Sequence, residues 1–265
     1  MTPPPLRLIH DLQLTELTPA RDRNRRVWRA KQVGRPVWLK LYEPDKSWCR
    51  IGEVQSLHAW EEVGIACPQV IATGATPAPY LLTAHVEGRR LEPKEAAALT
   101  TPALTLARRI HTAGPAPAGS TSLGDYLAER LSAHSWRRVE QSAQGDTALH
   151  GDWTYWNALG APEQLWDRQP IIPLDPYCLV GAAEFDAARW IVAAAAEHRH
   201  DGDLTWRIES FAEQASQLGF DPDRTLDLCG AELLIRADTG DHAAQYGPGY
   251  AAEFRRAAKK LLVGS

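Results

Sequence analysis

ALHGDWTYWNAL, residues Ala148 to Leu159, decides how this chain is read. It places His150, Gly151 and Asp152 ahead of Asn157 between two apolar edges, with Asp152 and Asn157 five residues apart. In such a loop the aspartate can hold and partly deprotonate an attacking hydroxyl, while the asparagine turns back to bind magnesium on nucleotide phosphates. A plain turn, in which Asp152 and Asn157 bond backbone amides, fits the same letters. The choice rests on partners elsewhere in the chain.

At 265 residues the chain fits one large domain or two closely packed lobes. Charged residues at 23% and hydrophobic ones at 44% are ordinary for a globular protein, which sets disorder aside. Cys49, Cys67, Cys178 and Cys229 are scattered and form no CxxC pair, so neither a zinc ribbon nor a disulfide framework is indicated, and a reducing cytoplasm suits them. Met1 to Leu14 lack a basic start followed by a long apolar core, and no apolar run approaches the roughly 20 residues of a membrane helix. The expectation is a soluble cytoplasmic protein that does not bind membranes; the oligomeric state is left open. Residues 1–145 hold 19 Lys and Arg against 14 Asp and Glu, whereas residues 146–265 hold 10 against 19. A basic first part suits polyphosphate, and an acidic second part suits metal ions or a cationic substrate and repels nucleic acid. Two solvated faces would show the same imbalance.

Three segments near the start read as strands: Leu12 to Leu17, Arg25 to Gln32, and Pro36 to Leu41, the last spelling PVWLKL. Ile51, Val54, Leu57 and Trp60 then recur at helical spacing, and Gly64 stops that helix. Val70 to Ala72 and Tyr80 to Val86 are further strand candidates, the second running into Glu87 and Gly88 as a hinge. From Pro93 the period becomes helical, over Ala96 to Thr112 and Leu123 to His134. Short strands at about 156–166 and 171–174 precede helices at about 184–199, 204–218, 224–237 and 249–262. Strands first and helices later predict an α+β protein of two lobes with a ligand cleft. The division expected is a strand-rich nucleotide-binding lobe over residues 1–87 and a mainly helical lobe over 88–265 carrying the catalytic loop, metal ligands and acceptor site.

Lys40 is the only charged residue inside PVWLKL. A lysine in a buried strand is costly unless its ammonium is paired or holds an anion such as phosphate, although on an edge strand it could snorkel to water. Glu53, 13 residues later, could reach back to orient that lysine, a standard kinase arrangement, or sit in the first helical turn for the dipole alone. Asp175 ends the apolar strand IIPLD, 18 residues after Asn157, where kinases place a second magnesium ligand; an Asp-Pro turn is the competing account. The order Lys40, Glu53, Asp152, Asn157, Asp175 belongs to one mechanism, phosphoryl transfer.

These residues resemble the kinase-like phosphotransferases of small molecules, the family of aminoglycoside and choline kinases, over about residues 12–195. LDPYCLVGAAEFDAARWI from Leu174 is similar to the aminoglycoside/hydroxyurea branch, which includes streptomycin kinases and carries DPxxLVGxxxxD after its HGD loop. The resemblance implies a protein-kinase-like bilobal fold, ATP and Mg2+ as cofactors, and a small-molecule hydroxyl as acceptor. It implies Asp152 as the catalytic aspartate, Asn157 and Asp175 as metal ligands, and Asp186 as a brace for the catalytic loop. YLLTAHVEGRRL looks like the family's hinge, so Thr83, the Ala84 carbonyl and the Val86 amide are expected at the adenine.

The chain departs from the family in two places. PARDRNRRVW stands where a glycine-rich loop is expected, and Trp153, Tyr155 and Trp156 replace small residues or histidine inside the catalytic loop. Those aromatics could shape an acceptor pocket by stacking or cation–π contact, or pack beneath the loop. His150 is expected to fix the loop through backbone bonds rather than act as a base. The alternative to an enzyme is a pseudokinase that binds nucleotide or scaffolds a partner. A protein kinase is disfavoured because no APE segment follows Asp175.

Overall fold

The computed structural model describes residues 3–20, 26–197, 203–239, 246–247 and 249–263. These divide into two compact units, one of residues 1–87 with 117–120, the other of residues 88–116 and 121–265.

In the first unit, α1 (Leu6–Asp11) precedes β1 (Leu14–Pro19), β2 (Val27–Gln32) and β3 (Arg35–Leu41); α2 (Ser47–Glu62) follows, then β4 (Val70–Gly74) and β5 (Tyr80–Ala84). The strands form one antiparallel sheet in the order β1-β2-β3-β5-β4. Leu14, Trp28, Ala30, Val37, Leu39 and Leu82 bury one face of it with Leu8 of α1. Side chains alternate along a strand, so Lys40 leaves on the face opposite Leu39. There α2 supplies Glu53. This helix starts at Ser47, a turn before Ile51, so Glu53 is not in its first turn. The dipole account of Glu53 therefore fails, because the dipole acts on the first turn. Ala118 donates its N–H to Gln55 Oε1 at 2.9 Å, which ties the 117–120 loop to α2.

The second unit begins with β6 (Arg89–Arg90), α3 (Pro93–Ala98) and α4 (Thr100–His111). The single helix expected over 96–112 is thus two, and a capping box between Glu92 and Glu95 starts the first of them at Pro93. Then come β7 (Thr121–Ser122), α5 (Leu123–Ala128), α6 (Ala133–Val139), β8 (Thr147–Leu149), β9 (Ala158–Gly160), β10 (Ile171–Pro173) and β11 (Leu179–Gly181). The helix expected over 123–134 is also two, because Ser132 caps a new start by accepting from Ser135 N–H. Among the described residues the helices that follow are α7 (Glu184–Glu197), α8 (Leu204–Gln217), α9 (Pro222–Thr239) and α10 (Tyr250–Val263). Helix α7 is central, with Phe185, Trp190 and the alanines from Ala193 to Ala196 buried. Its small side chains let neighbouring helices approach closely, while Trp190 donates Nε1–H to the Ala96 carbonyl at 3.3 Å.

Two small sheets, β10-β9-β6 and β7-β11-β8, set the loops of interest. The loop from β8 to β9 carries residues 150–157, and the loop from β10 to β11 carries residues 174–178. Leu174 N–H reaches the Asn157 carbonyl at 2.9 Å and Tyr177 N–H reaches the His150 carbonyl at 2.7 Å, so the two loops lie side by side. Gly151 is required at that seam. Its φ is +77°, and a Cβ there would lie 3.0 Å from Leu179 Cγ and 3.3 Å from Tyr177 Cβ. Among the described residues no helix is long and apolar enough to cross a membrane.

Candidate functional site

The first unit contributes a lysine and its carboxylate. Lys40 Nζ lies 2.6 Å from Glu53 Oε2, and Tyr42 donates its hydroxyl to the same oxygen at 2.5 Å. The Glu53 side chain is 6% exposed and that of Lys40 20%, so the ammonium keeps an open side toward solvent while its carboxylate does not. Pairing this close makes Lys40 an oriented charge rather than a snorkelling one.

Thr83 is buried in β5, opposite Trp38 of β3. Ala84 N–H bonds the Gln69 carbonyl at 2.9 Å and His85 N–H bonds the Pro36 carbonyl at 3.1 Å. Val86 lies past the end of the strand, and among the described residues its amide has no backbone partner. Residues 21–25, most of the loop PARDRNRRVW, lie outside the described residues.

The second unit contributes the catalytic-type loop. Asp186, at the start of α7, accepts His150 N–H on Oδ2 and Gly151 N–H on Oδ1, both at 2.8 Å, and faces His111 Nε2 at 2.9 Å. Burial by itself would raise its carboxyl. The His111 bond and charge and the Gly151 amide outweigh burial and hold the carboxyl below its ordinary range. Asp186 is thus an ionised brace that fixes the loop backbone. His150 is fully buried, accepts Asp152 N–H on Nδ1 at 3.3 Å and packs 5.0 Å from the Trp153 ring. Burial pushes its pKa down, so the ring is neutral, and its contacts fix the loop.

Held from behind in this way, Asp152 keeps its side chain 36% exposed. Asn157 donates Nδ2–H to Asp152 Oδ2 at 2.6 Å and to the Asp152 carbonyl at 3.1 Å. That commits the amide nitrogen to Asp152 and leaves the amide oxygen, the harder donor, for a cation. Asp175 is exposed just after β10 with φ +50°, next to Leu174, which bonds Asn157. Asp152, Asn157 and Asp175 are therefore brought together. Asn157 and Asp175 offer the oxygen donors that a hard divalent ion takes, and magnesium commonly uses only one or two carboxylates beside phosphate and water. Among the described residues no group of three or more His, Cys, Asp or Glu is placed to hold a metal without such help.

Arg189, Glu232 and Arg236 join this site without having been singled out in the sequence. Arg189 of α7 pairs through Nη2 with Asp152 Oδ1, and through Nη1 it lies 3.2 Å from both Glu232 Oε2 and the Tyr126 hydroxyl. Glu232 Oε1 then takes Arg236 Nε at 2.6 Å. The result is an alternating series of charges, Asp152, Arg189, Glu232, Arg236. Its signal was present: Arg189 is the only charged residue from Ala187 to Ala196, the same kind of anomaly that marks Lys40.

The three aromatics of the loop separate by role. Trp153 is fully buried, bonds the Ala103 carbonyl at 3.2 Å and packs on Trp190, so it lies beneath the loop. Tyr155 is buried, and its hydroxyl meets Glu197 Oε1 at 2.5 Å; burial first and this bond second push its pKa up. Trp156 is partly exposed, with the Arg236 guanidinium 4.9 Å from its ring, so that face already holds a cation. Acidic residues near 201–203 and 232–241 lie partly outside the described residues; of the others, Glu232 is engaged by two arginines and Asp203 caps α8 and pairs with Lys260.

No protein-family model matches the chain, and no curated protein matches it by sequence. Solved structures do match, at low identity and over nearly the whole chain. Choline kinase LicA from Streptococcus pneumoniae aligns over 98% of this chain and 97% of its own, with a TM-score of 0.67 at 12% identity. An aminoglycoside phosphotransferase from Alicyclobacillus acidocaldarius aligns over 100% and 96%, with a TM-score of 0.62 at 15% identity. An aminoglycoside phosphotransferase from Streptomyces rimosus, solved with ADP and streptomycin, aligns over 85% and 94%, with a TM-score of 0.57 at 21% identity. The fold is that of the kinase-like small-molecule phosphotransferases.

Proposed function

We propose that the chain is an ATP-dependent phosphotransferase that moves the γ-phosphoryl group to a hydroxyl of a small polar molecule. One observation carries this reading: a partly exposed Asp152 carboxylate, held by Asn157 on a loop braced from below, with the loop of the exposed Asp175 bonded alongside. The likeness of fold to small-molecule kinases supports it.

In this mechanism Asp152 accepts a hydrogen bond from the acceptor hydroxyl and aims its oxygen at the γ-phosphorus. The transition state is loose, so aim and charge neutralisation outweigh basicity. Lys40, oriented by Glu53, grips the nucleotide phosphates. Thr83, the Ala84 carbonyl and the Val86 amide receive the adenine; among the described residues the Val86 N–H has no backbone partner to displace. Asn157 and Asp175 would hold a magnesium ion, whose charge would offset that of the phosphate oxygens. The use of ATP fits a cytoplasmic protein.

Asp152→Asn tests the assignment. Turnover, read as ADP formation across a panel of hydroxylated acceptors, should fall by about a thousandfold while Mg·ATP binding by calorimetry is unchanged. Full activity in that variant would sink the assignment. The second reading, a nucleotide-binding pseudokinase, is favoured by one fact: both Asp152 carboxylate oxygens already have protein donors. Nucleotide binding with no acceptor-dependent ADP from the wild type would select it.

A further inference from the structure

Arg189 stands one helical turn after Asp186, so α7 carries both the residue that fixes the loop backbone and an arginine that reaches the side chain of Asp152. The Arg189 side chain is 11% exposed and lies over the Phe185 ring at 5.7 Å. Its fork is divided: Nη2 goes to Asp152, and Nη1 to Glu232 and Tyr126. Asn157 takes the other Asp152 oxygen. A carboxylate held on both oxygens by separate charged or amide donors cannot rotate without breaking one of them. Each oxygen still has a lone pair to offer, so a hydroxyl can be received in a fixed direction.

We propose that Arg189 is a positioning residue for phosphoryl transfer: it locks the plane of the Asp152 carboxylate, and Glu232, anchored in turn by Arg236, holds Arg189 to that task. The proposal rests on the phosphotransferase reading above. A lysine would carry the same charge as Arg189 but could not divide it between two carboxylates in a fixed plane.

The test uses the full chain as wild type, Arg189→Met and Arg189→Lys. The first readout needs no turnover: modification of carboxylates by a water-soluble carbodiimide with glycine ethyl ester, followed residue by residue by mass spectrometry. In Arg189→Met the Asp152 carboxylate should label about tenfold faster than in wild type, while buried Asp186 stays protected and exposed Asp125 is unchanged. Arg189→Lys should fall between. Asp152 labelling at the wild-type rate in Arg189→Met, or a matching rise at Asp186, overturns the proposal. If Arg189→Met does not fold, Arg189→Lys decides, and wild-type labelling in it overturns the divided-fork geometry.

The second readout is ADP released from Mg·ATP with water and with the hydroxylated panel as acceptors. Arg189→Met should lose about 100-fold in kcat with the KM for ATP unchanged, and Arg189→Lys should recover part of the loss. A loss confined to the KM for ATP overturns the positioning role. Absence of ADP from the wild type overturns the phosphotransferase reading and with it the purpose assigned to the lock. Wild-type labelling alone overturns the lock and leaves that reading standing.

Discussion

Glu53 in the first unit and Glu232 in the second are both buried carboxylates that hold cations, yet Glu53 takes Lys40 and Tyr42 on one oxygen whereas Glu232 takes an arginine on each. Lys40 keeps a fifth of its side chain exposed, while Arg236 keeps 2%. A partly open ammonium can be rehydrated if its carboxylate is lost; a sealed guanidinium cannot. The difference suits their tasks. Lys40 must exchange part of its pairing for phosphate, and the arginines need only stay where they are.

The sharpest way to break the comparison is Glu232→Gln. It removes the carboxylate charge that two buried guanidinium groups share, leaving Arg236 with no carboxylate partner among the described residues and Arg189 with Asp152 alone, and the loss should be about 3–5 kcal/mol in urea unfolding. Glu53→Gln should cost about 1 kcal/mol in stability, because Lys40 turns to water, while weakening Mg·ATP binding about tenfold by calorimetry. Equal losses of stability in the two variants would mean that the exposure of Lys40 does not matter.

Asp186→Asn comes next. Each Asp186 oxygen accepts one backbone amide, and an asparagine must present an NH2 to one of them. The expected cost is about 1–3 kcal/mol, measured by the same unfolding, together with a loss of turnover as the loop shifts.

Acidification separates the two units again, through His150. Its folded pKa lies below the ordinary value of 6.5 because it is buried, so the unfolded chain binds a proton that the folded chain does not. Stability from this group is fully present above pH 6.5 and is lost as pH falls from there toward the folded value, at up to about 1.4 kcal/mol per pH unit. Asp186 adds a second loss at lower pH: its carboxyl is held below the ordinary 3.8, so its contribution is present above that value and goes as pH falls through the folded one. His150→Gln should flatten the first loss in unfolding measured between pH 7 and 5. An unchanged slope would remove His150 as its source.

Much of this was legible in the sequence because lone charges in apolar runs are expensive and therefore informative. Lys40 in PVWLKL was read in that way, the HGD loop by the spacing of Asp152 and Asn157, and the strand segments of the first unit by alternation and apolar runs, though not their order. What could not be read was pairing over distance. His111 reaches Asp186 across 75 residues and Glu232 reaches Arg189 across 43, with no periodicity to announce either. The early start of the helix expected over 96–112 had a local signal, the Glu92 and Glu95 capping box, whereas its break at Leu99 carries no capping side chain and lies inside a continuous apolar period. Trp153 and Trp156 lie three residues apart in one loop, one buried beneath it and one partly exposed within the 3-10 turn Tyr155–Asn157, and no periodicity in so short a loop assigns the two rings their sides.

The smallest effect is expected at Tyr42, and it tests how Glu53 divides its attention. Tyr42→Phe removes the hydroxyl that shares Oε2 with Lys40 and leaves the ring in place, 5.3 Å from the ammonium. The stability change should be about 0.5 kcal/mol, the low end of the net worth of one hydrogen bond. If the hydroxyl competes with Lys40 for the carboxylate, its loss should tighten the ion pair and weaken Mg·ATP slightly, since a lysine held more firmly yields less to phosphate. If it orients the carboxylate toward Lys40, affinity should fall further, approaching that of Glu53→Gln. Calorimetric titration of both variants under one condition separates the two, and unchanged affinity in Tyr42→Phe would show that the first-unit pair works as a pair, without the third member that the arginine series of the second unit requires.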